Sequence, residues 1–386
     1  MTESANKWLL PDGLRDGLPP DAAHEADIHT LLLQTFSACG YERVAPPLVE
    51  FEDSLLDHAG EAIALSTFRL MDPVSQRMMG VRADMTPQVA RIATSRLRKA
   101  PRPLRLSYGG TVLRVRGSQL QPEREFRQAG VELIGAQSSA ADCEVLLLAY
   151  EGLRVAGGER LSVDLTLPTL VPEICHDLGL DAAAQRLLRT ALDRKDATAV
   201  SQIGGRAADV FGTLLGSVGP AEKALAAIDG LALRDEAAAE RQRLQEVIAV
   251  LQAEAPSLDI TVDPVENRGF EYHSGLSFTF FAGGVRGELG CGGRYEAGDA
   301  REPATGFSLF VHNLLRALPV PEPARRILLP VGTGEAAAAD LRAQGWVTVA
   351  ALSPVDDIAA EARRLKCTHC LVDNKPANVN TKGDAG

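Results

Sequence analysis

Apolar positions at Ile28, Leu31, Leu32, Phe36 and Cys39, with Thr35 on the same stripe, recur at helical spacing. The helix they predict begins after Leu18-Pro19-Pro20, with Asp21 as its cap candidate, and stops at Gly40. Tyr41 to Val49 reads as a strand interrupted by Pro46 and Pro47, so it belongs at a sheet edge or ends there. Met78 to Arg82 reads as a short strand and Pro87 to Lys99 as a helix. Leu104 to Tyr108, Thr111 to Arg116, Phe126 to Ile134 and Leu161 to Leu167 read as strands, and Ala140 to Val155 as an apolar helix. Between Val171 and about Glu254 alanine and leucine dominate, with charges interspersed, which predicts a mostly helical insertion. Strands are expected again at Ile260 to Val265, Ser277 to Phe281 and Val285 to Gly290, and a helix over Gly306 to Leu318.

Pro319, Pro321 and Pro323 alternate in a stiff extended linker. Beyond it the pattern predicts a small βαβαβ unit: strands Ile327 to Val331, Trp346 to Leu352 and His369 to Asp373, with helices Glu335 to Gln344 and Val355 to Leu365. The expected organisation is a core over 1–318 with the insertion at about 171–256, a linker at 319–324, the small unit at 325–373 and a disordered tail at 374–386.

Composition narrows the class. The chain has 386 residues, 45% apolar and 24% charged, which suits a globular protein of two or three domains and excludes wholesale disorder. Lys and Arg number 40 against 51 Asp and Glu, so the net charge of −11 argues against a general nucleic-acid coat. No apolar run approaches the ~20 residues of a bilayer span. The opening MTESANKWLL lacks a leader pattern, and six scattered cysteines make no disulfide framework, so a cytoplasmic location is expected.

Generic chemical motifs are weak. Gly332-Thr-Gly334-Glu-Ala-Ala337 imitates a dinucleotide fingerprint with Asp356 downstream, but a plain βα turn is the better reading. Cys367-Thr-His-Cys370 has no second pair to complete a zinc site and lies at a helix-to-strand junction, which favours structural thiols. Polar residues inside strands say more. Gln128, Gly130 and Glu132 share one face of a strand, with Gln128 and Glu132 about 13 Å apart and Gly130 leaving room between them for a small ligand. Asn267 to Tyr272 and Gly290 to Tyr295 add glycines, arginines and tyrosines. Such a set suits a zwitterionic amino acid with a polar ring.

At these residues the chain resembles histidyl-tRNA synthetase, a class II aminoacyl-tRNA synthetase, over nearly its whole length. LPDGLRDGLPPDA resembles that family's opening, and GYERVAPPLVE resembles motif 1 with its proline at Pro47. LRLSYGGTVLRV and FRQAGVELIG resemble motif 2, NRGFEYHSGLSF and GCGGRYE the two histidine-specific motifs, and GFSLFVHNLLRAL stands in the place of motif 3. The resemblance implies an α+β fold: an antiparallel sheet flanked by helices, with a helical insertion and a small C-terminal α/β unit. It also implies a histidine site at Asp84, Thr86, Arg114, Gln128, Glu132, Arg268, Tyr272, His273 and Tyr295, with His273 standing where the synthetase has a second tyrosine.

The departures fall on the nucleotide side. Where the motif 2 string of the synthetase ends in Glu, this chain has Arg116 after Leu113-Arg114-Val115. Motif 3 reads Phe310, His312 and Asn313 where the synthetase has Gly, Glu and the Arg that clamps triphosphate. Adenylation depends on stabilising transferring phosphate charge, and an asparagine offers none. Retained histidine recognition, lost ATP chemistry and a short C-terminal unit together resemble the regulatory subunits of ATP phosphoribosyltransferase. That resemblance implies a non-catalytic chain without cofactor or metal. It implies a self-dimer that partners a short-form catalytic subunit in a hetero-octamer, with L-histidine as feedback effector and no tRNA or membrane partner. A working histidyl-tRNA synthetase and a free-standing histidine-binding dimer are the competing readings.

Overall fold

A computed structural model describes residues 8–57, 60–117, 122–266, 273–319 and 322–379. It divides into two compact units, Met1–Pro319 and Val320–Gly386. The first is built on a nine-stranded sheet. From one edge to the other the strands are Glu42–Arg43, Leu104–Leu113, Glu125–Ile134, Glu302–Phe310, Gly290–Ala297, Ser277–Ala282, Leu161–Thr166, Asp259–Asp263 and Gly219–Pro220. Pairing is antiparallel except for Glu42–Arg43 on Leu104–Leu113 and Leu161–Thr166 on Asp259–Asp263.

Helix Asp21–Ala38 buries Ile28, His29, Leu32, Leu33 and Phe36, and Gly40 ends it at φ +84°. The buried stripe is rotated slightly from the expected one: Leu33 is inside and Cys39 is exposed. Helix Ser139–Val155 packs beside it, and both contribute to one large apolar core. Pro46 and Pro47 separate the edge strand Glu42–Arg43 from Val49–Phe51, which joins Phe68–Met71 and Met78–Val81 in a separate three-stranded sheet. Arg82, buried, spans the two sheets by donating to the carbonyls of Pro46 at 2.9 Å and Thr111 at 2.7 Å.

The insertion is helical: Leu170–Asp177, Ala182–Asp193, Ala197–Ile203, Gly205–Ser217, Ala221–Asp229 and Asp235–Glu254. The last of these is pinned to the core by a buried carboxylate. Asp142 takes Arg294 Nε at 2.7 Å and Arg243 Nη1 at 2.9 Å. The remaining Arg294 nitrogens donate to the carbonyls of Ala136 and Ser138. Three elements, a core helix, a core strand and the insertion helix, therefore meet on one side chain.

Two expectations fail here. Glu302–Phe310 is a strand, and the helix expected over Gly306 to Leu318 is only Val311–Ala317. The strand lies near the middle of the sheet and its residues from Ala304 to Phe310 are buried, so it has no alternation to distinguish it from a buried helix. Likewise the strand expected over Val285 to Gly290 begins at Gly290 and runs to Ala297. The two strand-like stretches from Leu104 to Arg116 are one continuous strand as far as Leu113.

In the second unit the sheet order is Val347–Ala350, Arg326–Leu329, His369–Val372 and Lys375–Asn378. The first three are parallel, and the last pairs antiparallel. That last strand occupies part of the expected tail at 374–386. It is ordered because Val379 inserts into the apolar cluster of Leu328, Ala362, Cys367 and Cys370. Both thiols are therefore buried and unbonded to each other. The glycine-rich turn before helix Glu335–Ala343 is closed by Thr333, which bonds the Pro330 carbonyl, with Gly332 at φ +87°.

Replacing Asp142 by Asn leaves Arg294, which is 5% exposed, without a counter-charge. Removing one member of a buried ion pair costs about 3–5 kcal/mol. A urea titration followed by circular dichroism is expected to show the midpoint of D142N well below that of the parent chain.

Candidate functional site

Six of the nine residues expected to hold an amino acid converge at the middle of the large sheet. Glu132, 1% exposed, accepts from Tyr108 Oη at 3.1 Å and Tyr295 Oη at 2.9 Å. Gln128 Oε1 accepts the backbone N–H of Met85 at 3.0 Å, and its Nε2 donates to Asp84 Oδ1 at 3.1 Å. Asp84 Oδ1 also accepts the N–H of Thr86 at 2.8 Å, at the start of helix Thr86–Thr94. Asp84, Thr86, Glu132, His273 and Tyr295 line a tight cavity of about 30 Å³, floored by Gly292, Gly293 and Gly306. It meets a wider cavity of about 700 Å³ at Asp84, Thr86 and Tyr295. Arg268 and Tyr272 lie outside the described residues.

The face shared by Gln128, Gly130 and Glu132 differs from expectation in one respect. The space above Gly130 is taken by the ring of Tyr108, not left for a ligand. Tyr108 pairs with Gly130 across the ladder, and a Cβ at Gly130 would come 2.6 Å from Tyr108 Cζ. The Tyr108 hydroxyl also meets Ser308 Oγ at 2.9 Å and Thr86 Oγ1 at 3.1 Å. Ser308 in turn accepts from Gln128 Nε2, so one chain of hydrogen bonds runs from Gln128 to Glu132. Gly306 faces Glu132 across the neighbouring strand, and any Cβ there would collide with Glu132 Oε2.

Sequence reasoning missed Tyr108 and Ser308. A signal for Tyr108 existed in the Gly109-Gly110 pair beside it, which marks close packing. Ser308 was hidden because its segment read as a helix.

Burial dominates the electrostatics. It pushes the Glu132 carboxyl up to about 8, against the opposing pull of hydrogen bonds from Tyr295, Tyr108 and Thr86. The Tyr108 phenol is raised well above its ordinary value by the same burial and by the nearby Glu132 and Asp84 charges. Glu132 thus holds its proton more tightly than an ordinary carboxyl, whereas Asp84 is half-buried where the two cavities meet.

The nucleotide side is built differently. Phe310 packs edge-on against Phe126 with centroids 5.7 Å apart, and His312 lies 4.7 Å from Phe126. Phe310 and His312 are each 3% exposed. Arg114, expected at the ligand, stacks on Phe126 at 4.9 Å and reaches the Ala83 carbonyl at 3.5 Å rather than entering the cavity around Glu132. Asn313, fully buried, donates to the Glu288 carbonyl at 2.8 Å and accepts from Arg316. Desolvation lowers His312 to about 4, so it adds no positive charge near neutral pH. Arg116 is exposed. Among the described residues no cluster of His, Cys, Asp or Glu fits a metal ion, and no helix is long and apolar enough to cross a membrane.

A central, mostly antiparallel sheet carrying an acid- and tyrosine-lined pocket, with a helical insertion and a small α/β unit, defines a class II aminoacyl-tRNA synthetase-like protein of the histidyl type. The family model described as histidyl-tRNA synthetase matches residues 13–314. A solved structure from Bacillus halodurans C, described as an ATP phosphoribosyltransferase regulatory subunit/histidyl-tRNA synthetase, superposes with a TM-score of 0.78 at 25% identity, covering 93% of this chain and 96% of that one. A chain of an ATP phosphoribosyl transferase complex from Thermotoga maritima shares the fold with a TM-score of 0.59 at 17% identity, covering 74% and 97%. The ATP phosphoribosyltransferase regulatory subunit of Rhodospirillum centenum is 57% identical over 366 residues, 95% of each chain. This chain belongs to the family of ATP phosphoribosyltransferase regulatory subunits, a branch of the histidyl-tRNA synthetase fold.

The Glu132 shift has a pH consequence. Its folded value lies above that of an unfolded glutamate, so its contribution to stability is complete below about 4.5 and is lost as pH rises toward about 8. The limiting slope is ~1.4 kcal/mol per pH unit. Glu132→Gln, which cannot ionise, is expected to flatten the fall in melting temperature between pH 5 and 8, as read by differential scanning calorimetry in both proteins.

Proposed function

We propose that this chain is the feedback-sensing partner of a short-form ATP phosphoribosyltransferase catalytic subunit, binding L-histidine in the pocket of Asp84, Thr86, Gln128, Glu132, His273 and Tyr295 without adenylating it. Arg268 and Tyr272 complete the candidate set on the strength of the motifs they stand in, while Arg114 is engaged with Phe126 outside the pocket. The observation that carries the reading is the contrast between the two halves of the site. The amino-acid half keeps its acids and tyrosines, while Phe310, His312 and Phe126 fill the nucleotide half and Asn313 is spent on a main-chain carbonyl. Phosphoryl chemistry needs a charge clamp at that position.

The name of the Rhodospirillum centenum relative and the complex from which the Thermotoga maritima chain comes support a catalytic partner in histidine biosynthesis. The family resemblance supports a hetero-octamer in the cytoplasm, with no tRNA partner. A self-dimer through the Gly40 to Phe51 region is supported by the terminal position of Glu42–Arg43 in its sheet, which leaves that edge without a neighbouring strand among the described residues.

The mechanism is linkage. Histidine places its ammonium at Asp84 and its imidazole toward Glu132, and the pocket passes the effect to the partner across an interface. Coupling of this kind is typically ~1–3 kcal/mol, or roughly 5–150-fold in affinity, and is reciprocal.

In a complex reconstituted with the catalytic subunit, histidine is expected to inhibit phosphoribosyl transfer, and Asp84→Ala is expected to shift the inhibition curve to higher histidine while the complex still assembles and turns over. An unchanged curve with D84A contradicts the pocket assignment. The chain alone is expected to give no histidine-dependent ATP–pyrophosphate exchange. Measurable exchange by the pure protein contradicts the non-catalytic reading.

A further inference from the structure

Where helix Asp235–Glu254 of the insertion meets the core, a separate cavity of about 210 Å³ lies among Glu240, Arg243, Ser274, Arg294, Tyr295 and Arg301. Tyr295 is a wall residue of this cavity, of the tight pocket and of the wide one beside it. The proposed function uses none of the other five residues.

The groups facing this cavity are unevenly satisfied. Arg243 and Arg294 share the single carboxylate of Asp142, and their other hydrogen bonds among the described residues go to main-chain carbonyls, so the two arginines exceed their shared counter-charge. Glu240 lies one turn before Arg243 on the same helix. Its Oε2 is buried and has no hydrogen-bond partner among the described residues. Burial raises its carboxyl, partly offset by the Arg243 and Arg294 charges, and by no donor. At the rim Arg301 is paired with Glu296 through Nε, and its side chain is 75% exposed. The side chains of Ser274 and Gln137, both exposed, make no hydrogen bond among the described residues.

An orphaned buried carboxylate oxygen calls for an N–H donor, and the guanidinium nitrogens of Arg301 beyond its Nε can take a second carboxylate. Wall charges are close to balanced, which disfavours a simple anion or cation. The volume lies below the ~300–1,000 Å³ of sites for larger ligands. A small zwitterion meets all three conditions.

We propose that this cavity is a second amino-acid site, with Glu240 accepting the ammonium group and Arg301 donating to the carboxylate. Its occupant is a free α-amino acid, and Tyr295 connects it to the pocket of Glu132. That the second site modulates feedback rests on the proposed function; that it binds an amino acid does not.

The test is calorimetric titration of the full chain with L-histidine. The parent chain is expected to show two binding events. Glu240→Gln is expected to weaken one of them by roughly tenfold or more, the loss of one charge-assisted bond, and to leave the other within twofold. Glu240→Asp keeps the charge and is expected to retain most of the binding. Glu132→Gln is expected to affect the other event. If E240Q unfolds, Arg301→Gln on the exposed rim reads the same loss. A single event that E132Q weakens, and that E240Q or R301Q leaves unchanged, overturns the second site. An event that E240Q weakens and E132Q does not touch supports it, even where the Glu132 pocket proves empty of histidine.

Discussion

The buried hydroxyl of Tyr108 is the point on which this site turns. It lies within hydrogen-bond reach of Glu132, Ser308 and Thr86, so it joins two neighbouring strands and the start of a helix to its own strand. One hydroxyl has one proton to give and two lone pairs to offer. It can donate to only one partner at a time, and Ser308, which accepts from Gln128, has its own proton to offer in return. Glu132 can therefore stay buried without a cation, at the cost of a strongly raised affinity for protons. Gly130 and Gly306 are the sequence's concession to this arrangement, since a side chain at either would strike Tyr108 or Glu132.

The other end of the site is packed with rings. A synthetase needs charge and open space where the triphosphate lies. Here Arg114 stacks on the ring of Phe126, Phe310 closes edge-on against it, and His312 is held neutral by burial. Packing of this kind stabilises the fold in the same place where a nucleotide site would weaken it. The two ends of the site thus differ in character: buried acid and tyrosines at one, packed rings and an uncharged imidazole at the other.

The pocket is joined to the insertion through Asp142, which binds Arg294 of the central sheet and Arg243 of the insertion helix together. Tyr295, next in sequence to Arg294, donates to Glu132. A change at Glu132 is therefore one residue away along the backbone from the ion cluster that fixes the insertion. The same proximity explains why the polar cavity at Glu240 has a route to the pocket at all.

The sequence alone determined the local grammar. Proline placement, the helical stripe from Ile28 to Phe36, the helix-rich insertion and the alternation in Leu161 to Thr166 are set by near neighbours and could be read without a fold. Gln128 and Glu132 were legible because a polar residue on a strand among apolar ones costs free energy unless it is used. What the sequence could not decide was everything set by distant partners. Glu302 to Phe310 becomes a strand because strands on both sides demand its hydrogen bonds, although its own apolar run is equally compatible with a helix. Lys375 to Asn378 is ordered by pairing with His369 to Val372 and by the burial of Val379, not by any pattern of its own. Tyr108 fills the gap above Gly130 because the antiparallel register sets them opposite each other. Periodicity reports which face of an element is buried; only the tertiary structure decides what it is buried against.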